Sequence, residues 1–88
     1  MKYTCPCCGY RTIEEEPPGT YEICNICYWE DDPVQFNDHD FEGGANEVSL
    51  RQAQRNFIVF GACEECFVES VRKLTNEDIK DASWKPVC

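Results

Sequence analysis

The 88 residues are sufficient for one small domain, and a domain of this size usually needs disulfide bonds, a metal ion or oligomerisation to be stable. The formal net charge of −9 argues against general nucleic-acid binding, which depends on clustered lysine and arginine. The sequence has no run of about 18 apolar residues that could span a membrane and no apolar stretch at its start typical of a secretory signal. We therefore expect a single cytoplasmic domain of residues 1–88 with reduced thiols.

The acidic residues are concentrated in the first half of the chain. Eleven of the 17 aspartates and glutamates lie in residues 1–47, together with only two of the eight basic residues. Residues 48–88 are neutral as a whole. Along this division we expect a cysteine-rich ribbon in residues 1–30, an acidic loop in residues 31–47 and a helical part in residues 48–88.

The first predicted elements are the two strands of a β-hairpin. Residues 10–13 and 20–23 are rich in β-branched and aromatic side chains that alternate with polar ones. The acidic segment between them ends in Pro17-Pro18-Gly19, which is typical of an exposed turn. Residues 31–44 are polar and contain one proline and two glycines, so we expect a loop there.

Helices are predicted in the second half of the chain. Ser49 is a suitable N-cap for a helix that ends before Gly61. Its apolar positions recur every three to four residues, at Leu50, Ala53, Phe57 and Phe60. A second helix is expected over residues 63–73, with an apolar face formed by Cys63, Phe67, Val71 and Leu74. Thr75 and Asp78 resemble a capping box at a last short turn.

The spacing of four cysteines predicts a metal site. Cys5 and Cys8 are separated by two residues, as are Cys24 and Cys27, and 15 residues lie between the two pairs. This spacing is typical of a four-thiolate zinc site, in which each pair closes a tight turn around the ion. Four thiolates around one dication leave no open position for a substrate. Iron in a rubredoxin-like centre is the alternative ion.

The other four cysteines are not assigned to this site. Cys7 occupies the variable position of the first turn, where its side chain is expected to point away from the ion. Cys63 and Cys66 would share one face of the predicted second helix and are interpreted as buried core cysteines. Alternatives are a redox-active pair or a second metal site with Cys7 or Cys88. Cys88 is otherwise expected to be an unpaired, mobile thiol.

Several neighbouring side chains have a structural interpretation. Tyr28 and Trp29 follow the second cysteine pair and are expected to shield the thiolates from water. His39 has no second histidine or cysteine nearby and is interpreted as a solvated loop residue. The acids of residues 30–42 are expected to form a solvated surface or to dock a basic partner: Glu30, Asp31, Asp32, Asp38, Asp40 and Glu42. The phenylalanines at helical spacing are assigned to the core: Phe57, Phe60 and Phe67.

The cysteine motifs stand within a longer pattern that resembles a known family. The pattern comprises Cys5-Pro6-Cys7-Cys8-Gly9-Tyr10, Glu16-Pro17-Pro18-Gly19-Thr20-Tyr21-Glu22-Ile23-Cys24, Cys27-Tyr28-Trp29-Glu30-Asp31-Asp32, Gly43-Gly44-Ala45-Asn46-Glu47-Val48-Ser49-Leu50, Ala53-Gln54-Arg55-Asn56-Phe57 and Phe60-Gly61-Ala62. Over residues 3–72 it is similar to the bacterial cysteine-rich CPCC family. The resemblance implies a small zinc-binding protein of bacterial origin, and it implies no particular reaction.

These observations predict an α+β fold in which an N-terminal zinc-ribbon-like β-hairpin with two cysteine knuckles packs on two or three C-terminal helices. The expected function is that of a non-enzymatic interaction or adaptor domain, with Zn²⁺ held by Cys5, Cys8, Cys24 and Cys27 as its scaffold. We expect a monomer that binds an unidentified protein partner, for which the acidic loop favours a basic one. A redox protein that uses iron or the Cys63/Cys66 dithiol is the alternative, and a nucleic-acid-binding ribbon is disfavoured by charge.

Overall fold

The computed structural model describes residues 2–87 and has the expected α+β architecture. A two-stranded antiparallel sheet consists of β1 (Tyr3–Thr4) and β2 (Arg11–Ile13). It is followed by α1 (Pro33–Asn37), α2 (Leu50–Phe60) and a 3-10 helix (Glu65–Phe67). Within the described residues, no helix is both long and apolar enough to cross a bilayer.

A hairpin is present near the N-terminus, but the strand predicted at residues 20–23 is not one of its two strands. β2 pairs with β1, and residues 20–23 form no strand. The Glu22 carboxylate instead accepts hydrogen bonds from the backbone N–H groups of Glu14 and Glu15, at 2.9 and 3.0 Å. A side chain thus satisfies the amides that directly follow β2, whereas the first cysteine turn brings β1 beside β2 without any long loop.

A short helix lies in the segment predicted to be only a loop. The Asp32 carboxylate accepts hydrogen bonds from the backbone N–H groups of Val34 and Gln35, at 2.7 and 3.4 Å, and Pro33 is the first helical residue. Proline is favoured at the first position of a helix because its missing N–H group would have no partner there. The Asp32-Pro33 pair is therefore a helix start, and interpreting Pro33 only as a breaker was wrong.

Helix α2 confirms the predicted helix and both of its ends. The Ser49 hydroxyl accepts a hydrogen bond from the backbone N–H of Gln52 at 3.1 Å. Gly61 ends the helix with a φ of 85°, a left-handed conformation that suits glycine. Leu50 and Ala53 are buried as expected, but Phe60 is 39% exposed, so its assignment to the core was wrong.

The predicted second helix over residues 63–73 is not formed. Only Glu65–Phe67 is helical, as a single 3-10 turn, and the remainder consists of bends and turns. The Cys63 N–H donates to the Cys27 carbonyl at 2.7 Å, and the Arg72 N–H donates to the Asn25 carbonyl at 3.0 Å. Both ends of this segment are thus tied to the second cysteine turn instead of to a helical backbone.

The C-terminal segment, residues 75–87, returns to the first cysteine turn. One of the two contacts of the predicted capping box is present at its start, where the Thr75 N–H donates to Asp78 Oδ2 at 2.7 Å, although it closes a turn and not a helix. Further along, the Asp81 N–H donates to the Gly9 carbonyl at 2.8 Å, and Lys80 forms a β-bridge with Tyr10. Chain regions about 70 residues apart therefore meet at one cysteine turn.

The apolar core consists largely of cysteine side chains. Six of the eleven residues in its central cluster are cysteines: Cys5, Cys7, Cys8, Ile13, Cys24, Ile26, Cys27, Trp29, Leu50, Ala53 and Cys63. Because the candidate metal ligands are themselves the centre of the apolar core, the metal site and the core are one structural unit.

Candidate metal centre

The first cysteine pair lies on a tight turn closed by backbone hydrogen bonds. The Gly9 N–H donates to the Cys5 carbonyl at 2.9 Å, and the Cys5 N–H donates to the Tyr10 carbonyl at 2.8 Å. Gly9 has a φ of 80°, which a residue without a Cβ adopts readily. The turn sets Cys5 and Cys8 side by side and leads directly into β2.

The second pair repeats the same pattern. The Tyr28 N–H donates to the Cys24 carbonyl at 2.7 Å, and the Cys24 N–H donates to the Trp29 carbonyl at 2.9 Å. Tyr28 occupies the position equivalent to Gly9 with a φ of 72°, a conformation that costs a residue with a Cβ about 1–2 kcal/mol. Its ring packs on Phe67 at a centroid distance of 4.6 Å, which offsets this cost.

The four predicted ligand sulfurs converge on one point. Cys5 Sγ lies 3.6 Å from Cys27 Sγ, Cys8 Sγ lies 3.8 Å from Cys24 Sγ, and all four sulfurs are within 4.8 Å of one another. A tetrahedron of sulfurs about 2.3 Å from a zinc ion has edges of about 3.8 Å. The four residues are buried, and among residues 2–87 no other group of three or more histidine, cysteine or carboxylate side chains brings its ligand atoms so close together.

The pKa shifts of the four thiols indicate that they cannot all ionise without a cation. Burial raises the pKa values of Cys5 and Cys27, because a buried thiolate loses its hydration. Hydrogen bonds from the Cys27, Cys5 and Cys8 thiols lower the pKa of Cys24, and the hydrogen bond to Cys24 raises that of Cys8. One sulfur of the group is thus stabilised as a thiolate by its neighbours, and ionisation of all four requires positive charge at the centre.

Cys24 receives support from two further donors. The Thr12 hydroxyl donates to Cys24 Sγ at 3.0 Å, and the Ile26 N–H donates to it at 3.4 Å. Hydrogen bonds of this kind stabilise the charged form of a sulfur ligand and fix its orientation. Thr12 was not identified from the sequence, because its role depends on β2 passing beside the second turn.

The remaining cysteines lie in different environments. Cys7 and Cys63 are buried in the same cluster as the four candidate ligands, so the assignment of Cys63 to the core is confirmed. Cys66 is exposed, so its assignment to the core was wrong; without the predicted helix it does not share a face with Cys63. Cys88 lies outside the described residues.

The aromatic residues after the second turn flank the thiolates. Trp29 is 1% exposed and belongs to the sulfur-rich cluster, and Tyr28 packs against that cluster while partly exposed. Trp29 is therefore part of the buried apolar surroundings that exclude water from the sulfurs, in keeping with its predicted role.

The acidic loop is less open to solvent than predicted. Asp31 and Asp32 are buried, and their carboxylates accept hydrogen bonds from the backbone N–H groups of Thr20 and Ala45, at 2.9 and 2.8 Å. Asp40 forms an ion pair with Arg51 at 2.7 Å, whereas His39 is exposed as expected. Two of the six acids thus serve the loop's own fold.

A cap that the sequence did not predict covers the first cysteine turn. The Trp84 ring lies directly on Gly9, and its Nε1–H donates to the Pro6 carbonyl at 3.0 Å. The Thr4 hydroxyl donates to Asp81 Oδ2 at 2.6 Å, and this bond together with those from Ser83 lowers the pKa of Asp81 to about 2. The C-terminal segment therefore holds the turn from outside.

Replacing Gly9 by alanine should destabilise the metal-loaded protein by about 3 kcal/mol. The left-handed conformation alone accounts for about 1–2 kcal/mol of this loss. The new Cβ would also lie 2.6 Å from two atoms of the Trp84 ring, so the ring would have to move away. Chemical denaturation measures the change in the free energy of unfolding.

Gly43 offers a matched control for this substitution. It has a φ of 79°, but no atom lies within 4 Å of the position of an added Cβ. Gly43→Ala should therefore cost only the backbone term of about 1–2 kcal/mol, as should Gly9→Ala in a Trp84→Ala background. Equal losses for Gly9→Ala and Gly43→Ala would contradict the role assigned to Trp84.

The comparison with family models supports the resemblance seen in the sequence. A family model described as "Cysteine-rich CPCC" matches residues 3–78, which include both cysteine turns, α1, α2 and the 3-10 helix. The search of curated proteins found no match.

Proposed function

The chain belongs to the cysteine-rich CPCC family, and we propose that it is a structural zinc protein whose ion is held by Cys5, Cys8, Cys24 and Cys27. The observation that carries this proposal is the convergence of four buried sulfurs, with separations of 3.6 and 3.8 Å, that fit a tetrahedral ion. A bound zinc ion would supply the positive charge that keeps four thiolates together.

We further propose that the protein acts as a non-enzymatic interaction domain, located in the cytoplasm of a bacterium. Four thiolate ligands fill the coordination of zinc and leave no position at which the ion could bind or activate a substrate. Thiolate ligands also require a compartment that keeps cysteines reduced. Since Asp31 and Asp32 are buried, the exposed acids of the loop that remain for a basic partner include Asp38 and Glu42.

Iron is the alternative ion for the same four sulfurs. Four thiolates in a tetrahedral arrangement suit iron as well as zinc, and iron would make the site redox-active. The other redox alternative, a dithiol of Cys63 and Cys66, is disfavoured because one residue is fully buried and the other is exposed.

Elemental analysis of protein purified from cells grown with both metals tests the choice of ion. We expect one zinc per chain in a colourless preparation, because the closed thiolate site binds zinc tightly. The Cys66→Ser variant should retain the full amount of metal and Cys24→Ser should retain none. A red preparation with iron in place of zinc would overturn the choice of ion, and full metal content in Cys24→Ser would overturn the choice of ligands.

A further inference from the structure

The C-terminal end of α2 exposes an apolar surface. Ile58 and Val59 are 81% and 73% exposed, and Phe60 next to them is 39% exposed. A run of three exposed apolar residues on a small protein is unusual unless another surface covers it. The exposed side chains lie on the last turn of the helix, which ends at Gly61.

Two adjoining cavities lie beside this end of the helix. One, of about 570 Å³, is lined by apolar side chains that include Ile26, Phe60, Val68 and Val71. The other, of about 500 Å³, is lined by Ile58, Trp84 and Pro86, among others. They share Phe57, Gly61 and Leu74, and we call the two cavities together the α2 groove. Each has the size of a pocket that receives several side chains.

The charge around the α2 groove is opposite to that of the protein. Three of the eight basic residues line it, namely Arg72, Lys73 and Lys80, against one of the 17 acids, Glu69. Arg72 is paired with Asp78, and Lys80 lies over the rings of Tyr10 and Trp84. Lys73 makes no ion pair within residues 2–87 and can face a carboxylate from outside.

We propose that the α2 groove binds an acidic amphipathic peptide segment of a partner protein. Apolar side chains of the segment would fill the two cavities, and its carboxylates would lie against the basic residues of the groove. A second copy of this chain fits less well, since a symmetric pairing of grooves would bring two surfaces with the same excess of basic residues together. This inference rests on the interaction domain proposed above and adds to its acidic loop a second contact surface, which takes an acidic segment of the partner.

Selection from a display library of random peptides, with the zinc-loaded protein as target, tests the proposal. We expect enriched sequences to combine leucine-like residues at helical spacing with several aspartates or glutamates. Enrichment of basic or uncharged sequences, or no enrichment, would overturn it. The metal content of the target is measured in the same sample, so a failure of the zinc assignment is distinguishable from a failure of the groove.

Variants of exposed residues test whether an enriched peptide binds in the α2 groove. Ile58→Glu and Lys73→Glu should each weaken binding of an enriched acidic peptide at least tenfold, as measured by fluorescence anisotropy. Val34→Glu is the matched control, because Val34 is 52% exposed on α1 and lines neither cavity. Unchanged binding in Ile58→Glu would overturn the proposal, as would a wild-type dimer in sedimentation that Ile58→Glu dissociates.

Discussion

Replacing Cys24 by serine should release the metal and unfold the protein. The Cys24 sulfur is the one that accepts hydrogen bonds from Thr12 and Ile26 and whose thiolate is favoured by its neighbours. Structural zinc sites bind their ion with about 10–16 kcal/mol at neutral pH, whereas small domains unfold with only about 5–15 kcal/mol. Loss of the zinc-binding free energy is therefore expected to exceed the free energy of unfolding of the domain.

The expected result has a physical cause beyond the lost metal–sulfur bonds. In the variant, the three remaining candidate ligand thiols stay buried without a cation, in a cluster of cysteines that provides much of the core. A cysteine side chain buries less apolar area than leucine or phenylalanine, so this core is weak when the ion is absent. Circular dichroism of the variant should show the loss of α2, and a chelator should have the same effect on the wild type.

Cys66→Ser is the control for this experiment. Cys66 is an exposed thiol outside the four-sulfur group, so its replacement should leave metal content and melting temperature unchanged. A Cys24→Ser protein that keeps the helical signal and melts cooperatively without metal would contradict the assignment of the ion as the scaffold of the fold.

The cysteine turns could be predicted from sequence because their geometry is local. Two cysteines three positions apart close a turn through hydrogen bonds to residues four and five positions on, and both turns do so here. The spacing does not reveal that Tyr28 can replace glycine in the second turn. That substitution depends on Phe67, which packs on the Tyr28 ring from a distant part of the chain.

The sequence-based prediction was wrong where hydrogen bonds to distant parts of the chain replace the secondary structure that the local sequence favours. The apolar spacing of residues 63–73 favours a helix, but the amides of Cys63 and Arg72 bond to carbonyls of the second cysteine turn. Likewise, the alternation in residues 20–23 favours a strand, but the Glu22 carboxylate accepts hydrogen bonds from the backbone N–H groups of Glu14 and Glu15. In a domain with so small a core, a few such bonds outweigh propensity.

Acidic and basic side chains are concentrated in different parts of the chain. Acidic side chains dominate residues 1–47, whereas the α2 groove gathers apolar side chains and three basic residues from the C-terminal half. The α2 groove adjoins the candidate metal centre, since Ile26 lines one of its cavities and Cys7 and Cys8 line the other. A bound ion would therefore help to hold residues that line the groove in place.

Gln35 organises the loop that joins the ribbon to α2, and nothing in its local sequence marks it. Its Nε2 lies 3.0–3.1 Å from the carbonyl oxygens of Phe41, Asn46 and Val48 and shares its two hydrogens among them, and its Oε1 accepts from the Asn46 backbone and side chain at 3.1 and 2.9 Å. Asn46 in turn exchanges two hydrogen bonds with the backbone of Glu30. One buried glutamine thus connects α1, the end of the second cysteine turn and the start of α2.

Replacing Gln35 by leucine should destabilise the metal-loaded protein by about 4 kcal/mol, because buried backbone groups left without a partner each cost about 1–3 kcal/mol. Leucine has a similar volume, so the loss reports hydrogen bonds and not a cavity. Chemical denaturation measures it, with Gln52→Leu on the exposed side of α2 as the matched control, for which we expect a change of less than about 0.5 kcal/mol. Because none of the hydrogen bonds of Gln35 goes to the four candidate ligands, the variant should keep its full metal content. Similar stability losses in the two leucine variants would contradict the role assigned to this network.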